Sequence, residues 1–321
     1  MKLSKLLPII GISVFIYLLW KIGILKILET LSHVNLFLLS SAILFLIPLI
    51  VSKAFKWKIL INSCDINYPL AKCVSAWLVG FSVGLITPGR IGDFFKVLYL
   101  KKSENTTFGV PLATVVADRV ADILILIILA IFGISVIALR YTLNPIFMYV
   151  AILLFFIFLV SCFVFAQKDI VGRLIKPLFD RLIPERYKGS LQISFRDFYT
   201  GISMMLKSKT LLIVSFLTVI SWIIYIFQCY LIALSLNIDI SLQFVACIIP
   251  IMTLVELLPI SFSGIGTRDA TLIFFLSLVA IPSVSAVSFS LMLLFAAYVN
   301  GVLGLLVWLK NPVDLKEIIA G

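Results

Sequence analysis

GLITPGRIGDFFK, from Gly84 to Lys96, and LLPISFSGIGTRDATLIFF, from Leu257 to Phe275, are the stretches that decide the fold of this chain. Each places Pro, Gly, one Arg and an acidic residue in an otherwise apolar sequence. Pro and Gly interrupt helices, and charge is costly in lipid. Such a stretch is tolerated at membrane depth only where protein or a water-filled cavity shields it. Broken, charged segments at matching positions of two halves indicate a transport site. The residues expected to break the helices are Pro88, Gly89, Gly92, Pro259, Gly264 and Gly266.

The composition is that of a membrane protein. Of the 321 residues, 62% are hydrophobic and 13% are charged, which does not fit a soluble domain. The net charge of +11 could indicate nucleic-acid binding, but the basic residues lie between apolar stretches, so membrane topology explains them better and no nucleic-acid partner is expected. The five cysteines form no CxxC pair and His33 is the one histidine. We therefore expect no metal, no cofactor and no enzymatic activity.

Six apolar stretches are long enough to cross a bilayer. They are Leu6–Trp20, Leu36–Val51, Pro111–Leu139, Ile146–Ala166, Leu211–Leu236 and Ser285–Leu309. Two further stretches, Val74–Ile86 and Leu242–Ile281, are short or interrupted, and we interpret them as broken re-entrant hairpins, although two full crossings fit the second equally well. The expected fold class is an all-α polytopic membrane protein with eight or so transmembrane segments.

The distribution of basic residues predicts the orientation. If Val74–Ile86 enters and leaves on one side, 21 of the 26 Lys and Arg residues lie in cytoplasmic segments, which include 52–73 and the loop 167–210. Both termini then lie on the cytoplasmic side of the cell membrane. The same topology divides the chain into two inverted repeats, 1–140 and 141–321. The loop 167–210 either forms interfacial helices or is a solvated connector.

Eight ionisable residues lie inside or beside the predicted membrane segments. They are Arg90, Asp93, Asp118, Arg119, Asp122, Glu256, Arg268 and Asp269. Each costs about 2.5 to 3.5 kcal/mol at a helix centre, so these residues must pair with one another or serve a function. With three positive and five negative charges, this set cannot be fully paired.

The two arginines that follow the Gly residues, Arg90 and Arg268, suit a phosphate or another anion, with Asp93 and Asp269 orienting them. The alternative is that each hairpin is held together by internal salt bridges.

The remaining three acids also have two interpretations each. Asp118 and Asp122 share one helix face, and they either serve the site or are surface or structural charges; Arg119 is expected to point elsewhere, toward the lipid headgroups. Glu256 could bind a proton or cation, or pair structurally with Arg268.

These residues give the chain a resemblance to the transmembrane region of lysylphosphatidylglycerol synthases, a family also called flippase-like or UPF0104-type membrane proteins. Three segments carry it: TPGRIGD at 87–93, ADRVAD at 117–122, and LPIS with GIGTRD at 258–261 and 264–269. The family commonly has Glu where this sequence has Asp93 and Asp269. Asp in place of Glu retains the negative charge and shortens the reach of the side chain.

The resemblance implies an integral inner-membrane protein that moves a lipid headgroup between leaflets, without the soluble synthase domain. Implied partners are anionic or phosphate-bearing lipids and enzymes of cell-envelope lipid or glycan biosynthesis; the oligomeric state is left open. The alternatives are a membrane-embedded lipid or glycolipid transferase, a secondary transporter of a small anion, and a scaffold for a cell-envelope complex.

Overall fold

A computed structural model describes residues 7–87, 92–104, 106–141, 144–173, 185–258, 261 and 263–312. Within these ranges the regular secondary structure is helical and contains no strand. The predicted site residue Arg90 and the predicted break residues Pro88, Gly89 and Pro259 lie outside the described residues.

The helices follow one another along the chain with short connections. In order they are α1 (Leu7–Ile22), α2 (Ile24–Ser32), α3 (Leu36–Leu44), α4 (Leu46–Asn62), α5 (Leu70–Ile86), α6 (Phe95–Glu104), α7 (Gly109–Arg140), α8 (Ile146–Ala166), α9 (Glu185–Met205), α10 (Ser208–Ser235), α11 (Leu242–Glu256), α12 (Thr267–Ser277) and α13 (Ser283–Lys310). Residues 168–173 are also helical, and a short 3₁₀ turn covers residues 92–94.

Helix length and hydropathy confirm an all-α polytopic membrane protein. Among the described residues, five helical segments are long and apolar enough to cross a bilayer: Leu36–Asn62, α7, α8, α10 and α13. Three shorter apolar helices lie at Ile12–Ile22, α5 and α11. The predicted first span is therefore among the shorter helices. α8 is almost wholly unburied by protein, as expected of a helix that faces lipid.

The second predicted span is longer than the sequence indicated. The apolar run ends at Val51, and we expected residues 52–73 to form a cytoplasmic segment. Instead α4 continues to Asn62, and its Lys56 side chain is completely buried. Residues 52–62 are therefore helical, and Lys53 and Lys56 contact aspartates on α7; the cytoplasmic location of 52–73 stays a prediction.

Each interrupted stretch contains two helices: α5 ends at Ile86 and α6 begins at Phe95, whereas α11 ends at Glu256 and α12 begins at Thr267. We call residues 87–94 the first break and residues 257–266 the second break, of which 88–91, 259, 260 and 262 lie outside the described residues. α5 begins at Leu70, four residues before the predicted start, so its 17 residues extend about 26 Å at 1.5 Å per residue. The second stretch divides into α11 and α12 around a break that contains Gly264 and Gly266. Whether these pairs are re-entrant hairpins or crossings stays a prediction.

The helices of the two predicted repeats pack in a crossed pattern. α5 packs extensively on α13, α7 packs on α11, and α4 packs on α10. Small residues permit this close approach: a Cβ on Gly304 would collide with the backbone of Leu78, and one on Gly133 with that of Cys247. The division into repeats 1–140 and 141–321 stays a prediction, but each half contributes to every one of these interfaces.

The basic loop contains a docked helix. α9 packs along the start of α7, where a Cβ on Gly109 would collide with the carbonyl of Ser194. The Thr107 hydroxyl and the Asp197 carboxylate lie 2.7 Å apart, and Tyr199 donates to the carbonyl of Phe165 at 3.0 Å. Residues 185–205 therefore form a helix that packs on α7 and are not an unstructured connector.

Candidate functional site

A set of charged side chains, which we call the charge network, joins α4, the first break and α7. Its members are Lys53, Lys56, Asp93, Lys96, Asp118, Arg119 and Asp122. Asp93 lies at the end of the first break and Lys96 in the first turn of α6, and their contacts place this part of the chain against α4 and the first half of α7.

Asp118 is the most deeply buried acid of the network. Its carboxylate lies 2.8 Å from Lys56 Nζ and 2.6 Å from Lys96 Nζ, and all three side chains are at most 1% exposed. Lys96 Nζ also lies 5.3 Å from the ring centroid of Trp57, whose indole N–H donates to Thr114 at 3.2 Å. Both lysines contact this carboxylate, so Asp118 ties α4 and the start of α6 to α7.

Arg119 links all three aspartates. Its guanidinium lies 3.0 Å from Asp93, 3.4 Å from Asp118 and 3.4 Å from Asp122. Asp122 is also contacted by Lys53 at 2.8 Å and by Lys56 at 2.6 Å. The expectation that Arg119 points away from Asp118 and Asp122 was wrong, because its guanidinium contacts both of them and Asp93.

Three lysines of the network are absent from the predicted charged set. Lys53, Lys56 and Lys96 follow apolar runs and were counted as cytoplasmic loop charges. With them, the described network contains four basic and three acidic groups, an excess of one positive charge. One signal could have identified two of them: Lys53 and Lys56 are three residues apart, hence on one face of a helix that continues the apolar run.

At Gly92, near the end of the first break, the backbone lies close to the backbone of α5. The Gly92 N–H donates to the Thr87 hydroxyl at 3.1 Å, and a Cβ on Gly92 would collide with the backbone of Gly84 in α5. A residue with a side chain would not fit here, so position 92 requires glycine.

A second cluster surrounds the break between α11 and α12, and it consists of Glu256, Ser263, Arg268, Asp269 and Ser290. Arg268 is 4% exposed; its guanidinium contacts Glu256 Oε1 at 3.3 Å and donates to the Ser290 hydroxyl at 2.8 Å. The backbone turns at Ser263, Gly264 and Gly266, whose φ angles are 49°, 76° and 85°. These left-handed conformations favour Gly.

We expected Asp269 to contact Arg268, but it does not. Its carboxylate instead accepts from the Gly266 N–H at 2.8 Å, the contact that an acid in the first turn makes with the residue before its helix. The partner of Arg268 is Glu256, which the sequence offered as one of two interpretations. The two breaks therefore use their charges differently: the first joins a wide network, and the second forms a local pair.

A partly open cavity of about 160 Å³ lies between the two predicted repeats. Its charged side consists of Lys53, Asp93, Arg119 and Asp122. Its other sides are aromatic, aliphatic and uncharged polar, and they include Trp77, Phe81, Trp222, Tyr225, Gln228 and Asn300. Arg268, Glu256 and Asp118 are not among the lining residues. No group of three potential metal ligands occurs in the described part of the chain.

Comparisons with known proteins agree with one another. A family model described as the lysylphosphatidylglycerol synthase TM region matches residues 6–304. A UPF0104 membrane protein of Methanothermobacter thermautotrophicus is 29% identical over 72% of this chain and 72% of its own length. UPF0104 membrane proteins of Pyrococcus horikoshii and Methanocaldococcus jannaschii are each 25% identical, over 95% and 98% of this chain and 96% and 97% of their own lengths. No solved structure matches the chain.

Proposed function

The chain belongs to the lysylphosphatidylglycerol synthase transmembrane region family, and on that premise we propose that it moves a lipid with a phosphate-bearing headgroup between the leaflets of the cell membrane. One observation carries the proposal: the cavity between the two predicted repeats has a charged side and an apolar side. A lipid has the same division between headgroup and chains.

The lining residues support this choice of ligand. Lys53 and Arg119 offer cationic groups on one side of the cavity, and the planar guanidinium of Arg119 matches the geometry of a phosphate. The aromatic and aliphatic side chains opposite them suit the glycerol or prenyl part of a lipid. A pocket with a few convergent polar groups and predominantly apolar walls is the usual form of a small-molecule site.

The position of the cavity suits transport. α4, α5 and α7 come from residues 1–140, whereas α10, α11 and α13 come from residues 141–321, and all six contribute to the lining. A site at the interface of two repeats is exposed to either side of the membrane when one repeat moves against the other. Residues such as Ser82, which donates to the Gly301 carbonyl at 2.7 Å, would have to exchange partners in that movement.

The contacts favour a different pair of cations from those that the sequence suggested. Arg268 contacts Glu256 and Ser290, just as Lys53 and Arg119 contact aspartates, but it does not line the cavity. Lys53 and Arg119 do line it, and we therefore assign the phosphate to them. A role for Arg90, which lies outside the described residues, stays a prediction.

Transport of labelled lipid by purified protein tests the proposal. Liposomes that contain fluorescent phosphatidylglycerol are treated with dithionite, which bleaches only the outer leaflet. We expect bleaching beyond half of the signal with the wild type and with Lys102→Gln, an exposed lysine on α6. Arg119→Gln should reduce the additional bleaching to that of empty liposomes. Equal bleaching with and without protein would contradict the proposal for this lipid.

A further inference from the structure

We propose that the cavity selects lipids whose headgroup is net anionic, and that it disfavours headgroups carrying an amino group. This inference rests on the proposed function and names its substrate class. It would separate this chain from any relative that handles an aminoacylated lipid, whose headgroup carries ammonium groups.

The charge of the network favours an anion. Its described members carry one positive charge in excess, and every aspartate among them is already contacted by at least two basic groups. Asp93 contacts Arg119 and Lys96, at 3.0 and 3.9 Å; Asp122 contacts Lys53, Lys56 and Arg119. A headgroup ammonium would therefore have to displace a lysine or arginine from a carboxylate. A phosphate would instead offset the excess charge.

Arg119 has a hydrogen-bond donor left over on the charged side of the cavity. Its Nε is buried without a hydrogen-bond partner, whereas its terminal nitrogens contact the three aspartates. A buried donor without an acceptor is costly, and a phosphate beside Arg119 would supply an acceptor after a small side-chain adjustment. Asn300 Oδ1, on another lining residue, is also buried without a partner and suits a hydroxyl of the headgroup.

The cavity is partly open, so its volume sets no limit on the headgroup, and the selection rests on charge. The shared chemistry is a phosphate ester on an apolar anchor, and it has two sources: an anionic glycerophospholipid or a polyprenyl phosphate.

Binding in detergent tests the selectivity without requiring transport. Isothermal titration calorimetry would compare three soluble probes: dihexanoyl phosphatidylglycerol, farnesyl phosphate and dihexanoyl lysylphosphatidylglycerol. We expect one of the two anionic probes to bind at least about tenfold more tightly than the lysyl probe, because the latter adds positive charge to a positive site. The tighter of the two anionic probes identifies the source.

Matched variants locate the site. Arg119→Gln and, separately, Lys53→Met make the described network neutral, so both should fold and both should lose most of the preference for the anionic probes. Lys102→Gln should retain it.

Equal or tighter binding of the lysyl probe would overturn the inference, as would a preference that survives both Arg119→Gln and Lys53→Met in folded protein. Either result leaves the proposed function to be judged by the liposome assay. Conversely, a protein that binds the anionic probes selectively but transports no lipid would retain the selectivity and refute the transport proposal.

Discussion

Replacing Asp118 by Asn tests whether the charge network holds the first break to the membrane helices. The change removes one negative charge and keeps the shape of the side chain. The described network would then carry two positive charges in excess instead of one.

The magnitude follows from the remaining contacts. Lys56 would keep Asp122 at 2.6 Å, but Lys96 would retain only Asp93 at 3.9 Å and the ring of Trp57. Removing one partner of a buried pair costs about 3 to 5 kcal/mol, because the other charge stays buried without compensation. We therefore expect Asp118→Asn to lower the free energy of unfolding by about that amount. Adding Lys96→Met restores the excess to one charge and should recover about 1 to 3 kcal/mol.

The assay is reversible unfolding in mixed micelles with increasing SDS, followed by tryptophan fluorescence. Asp65→Asn is the matched control, because Asp65 is exposed in the turn after α4 and its substitution should change the unfolding free energy by less than about 0.5 kcal/mol. If Asp118→Asn were no more destabilising than Asp65→Asn, or if Lys96→Met failed to recover stability, the network would not have the structural role assigned to it.

Three further predictions concern the second break, the helix interfaces and the topology. Arg268→Gln should lower the free energy of unfolding by about 3 to 5 kcal/mol, and the double variant with Glu256→Gln should cost less than the sum of the single changes, as measured by the same unfolding assay; additive losses would contradict a pair between these side chains. Gly133→Ala should lower the thermal unfolding temperature, because its Cβ would collide with the carbonyl of Cys247, whereas Gly172→Ala, with open space around it, should not; equal melting temperatures would contradict the tight packing of α7 on α11. Reporter fusions at Lys188 and Lys316 should both report a cytoplasmic location, because the basic residues of the loop 167–210 lie on the cytoplasmic side; an external signal at Lys188 would reject the hairpin interpretation of Val74–Ile86.

The sequence was sufficient for the features that depend on local chemistry. Composition and the lengths of the apolar runs predicted an all-helical membrane protein, and Gly264 and Gly266 lie between two helices as expected of break residues. The family followed from three short motifs. The contact of Asp269 with Gly266 was also within reach, since an acid three residues after a Gly at a helix start commonly binds the amide there.

The features that were missed depend on contacts between distant parts of the chain. Lys53 and Asp122 are 69 residues apart, and Lys96 and Asp118 are 22 apart. A count of loop charges treats such lysines as solvated, because a single sequence does not show which aspartate neutralises them. For the same reason Arg119 was predicted to point toward the lipid headgroups. Its orientation depends on a contact with Asp93, which is distant in the sequence.

The most direct test of the central claim is a cryo-electron microscopy map of the protein in nanodiscs containing phosphatidylglycerol, with Lys102→Gln and Arg119→Gln proteins prepared identically. We predict lipid density in the cavity between the two predicted repeats, with its phosphate within about 3 Å of Arg119 and Lys53 and its chains toward Trp77 and Trp222. This density should persist in Lys102→Gln and disappear in Arg119→Gln. A cavity that holds only water in all three proteins, or a lipid phosphate bound at Arg268 instead, would contradict the proposed site.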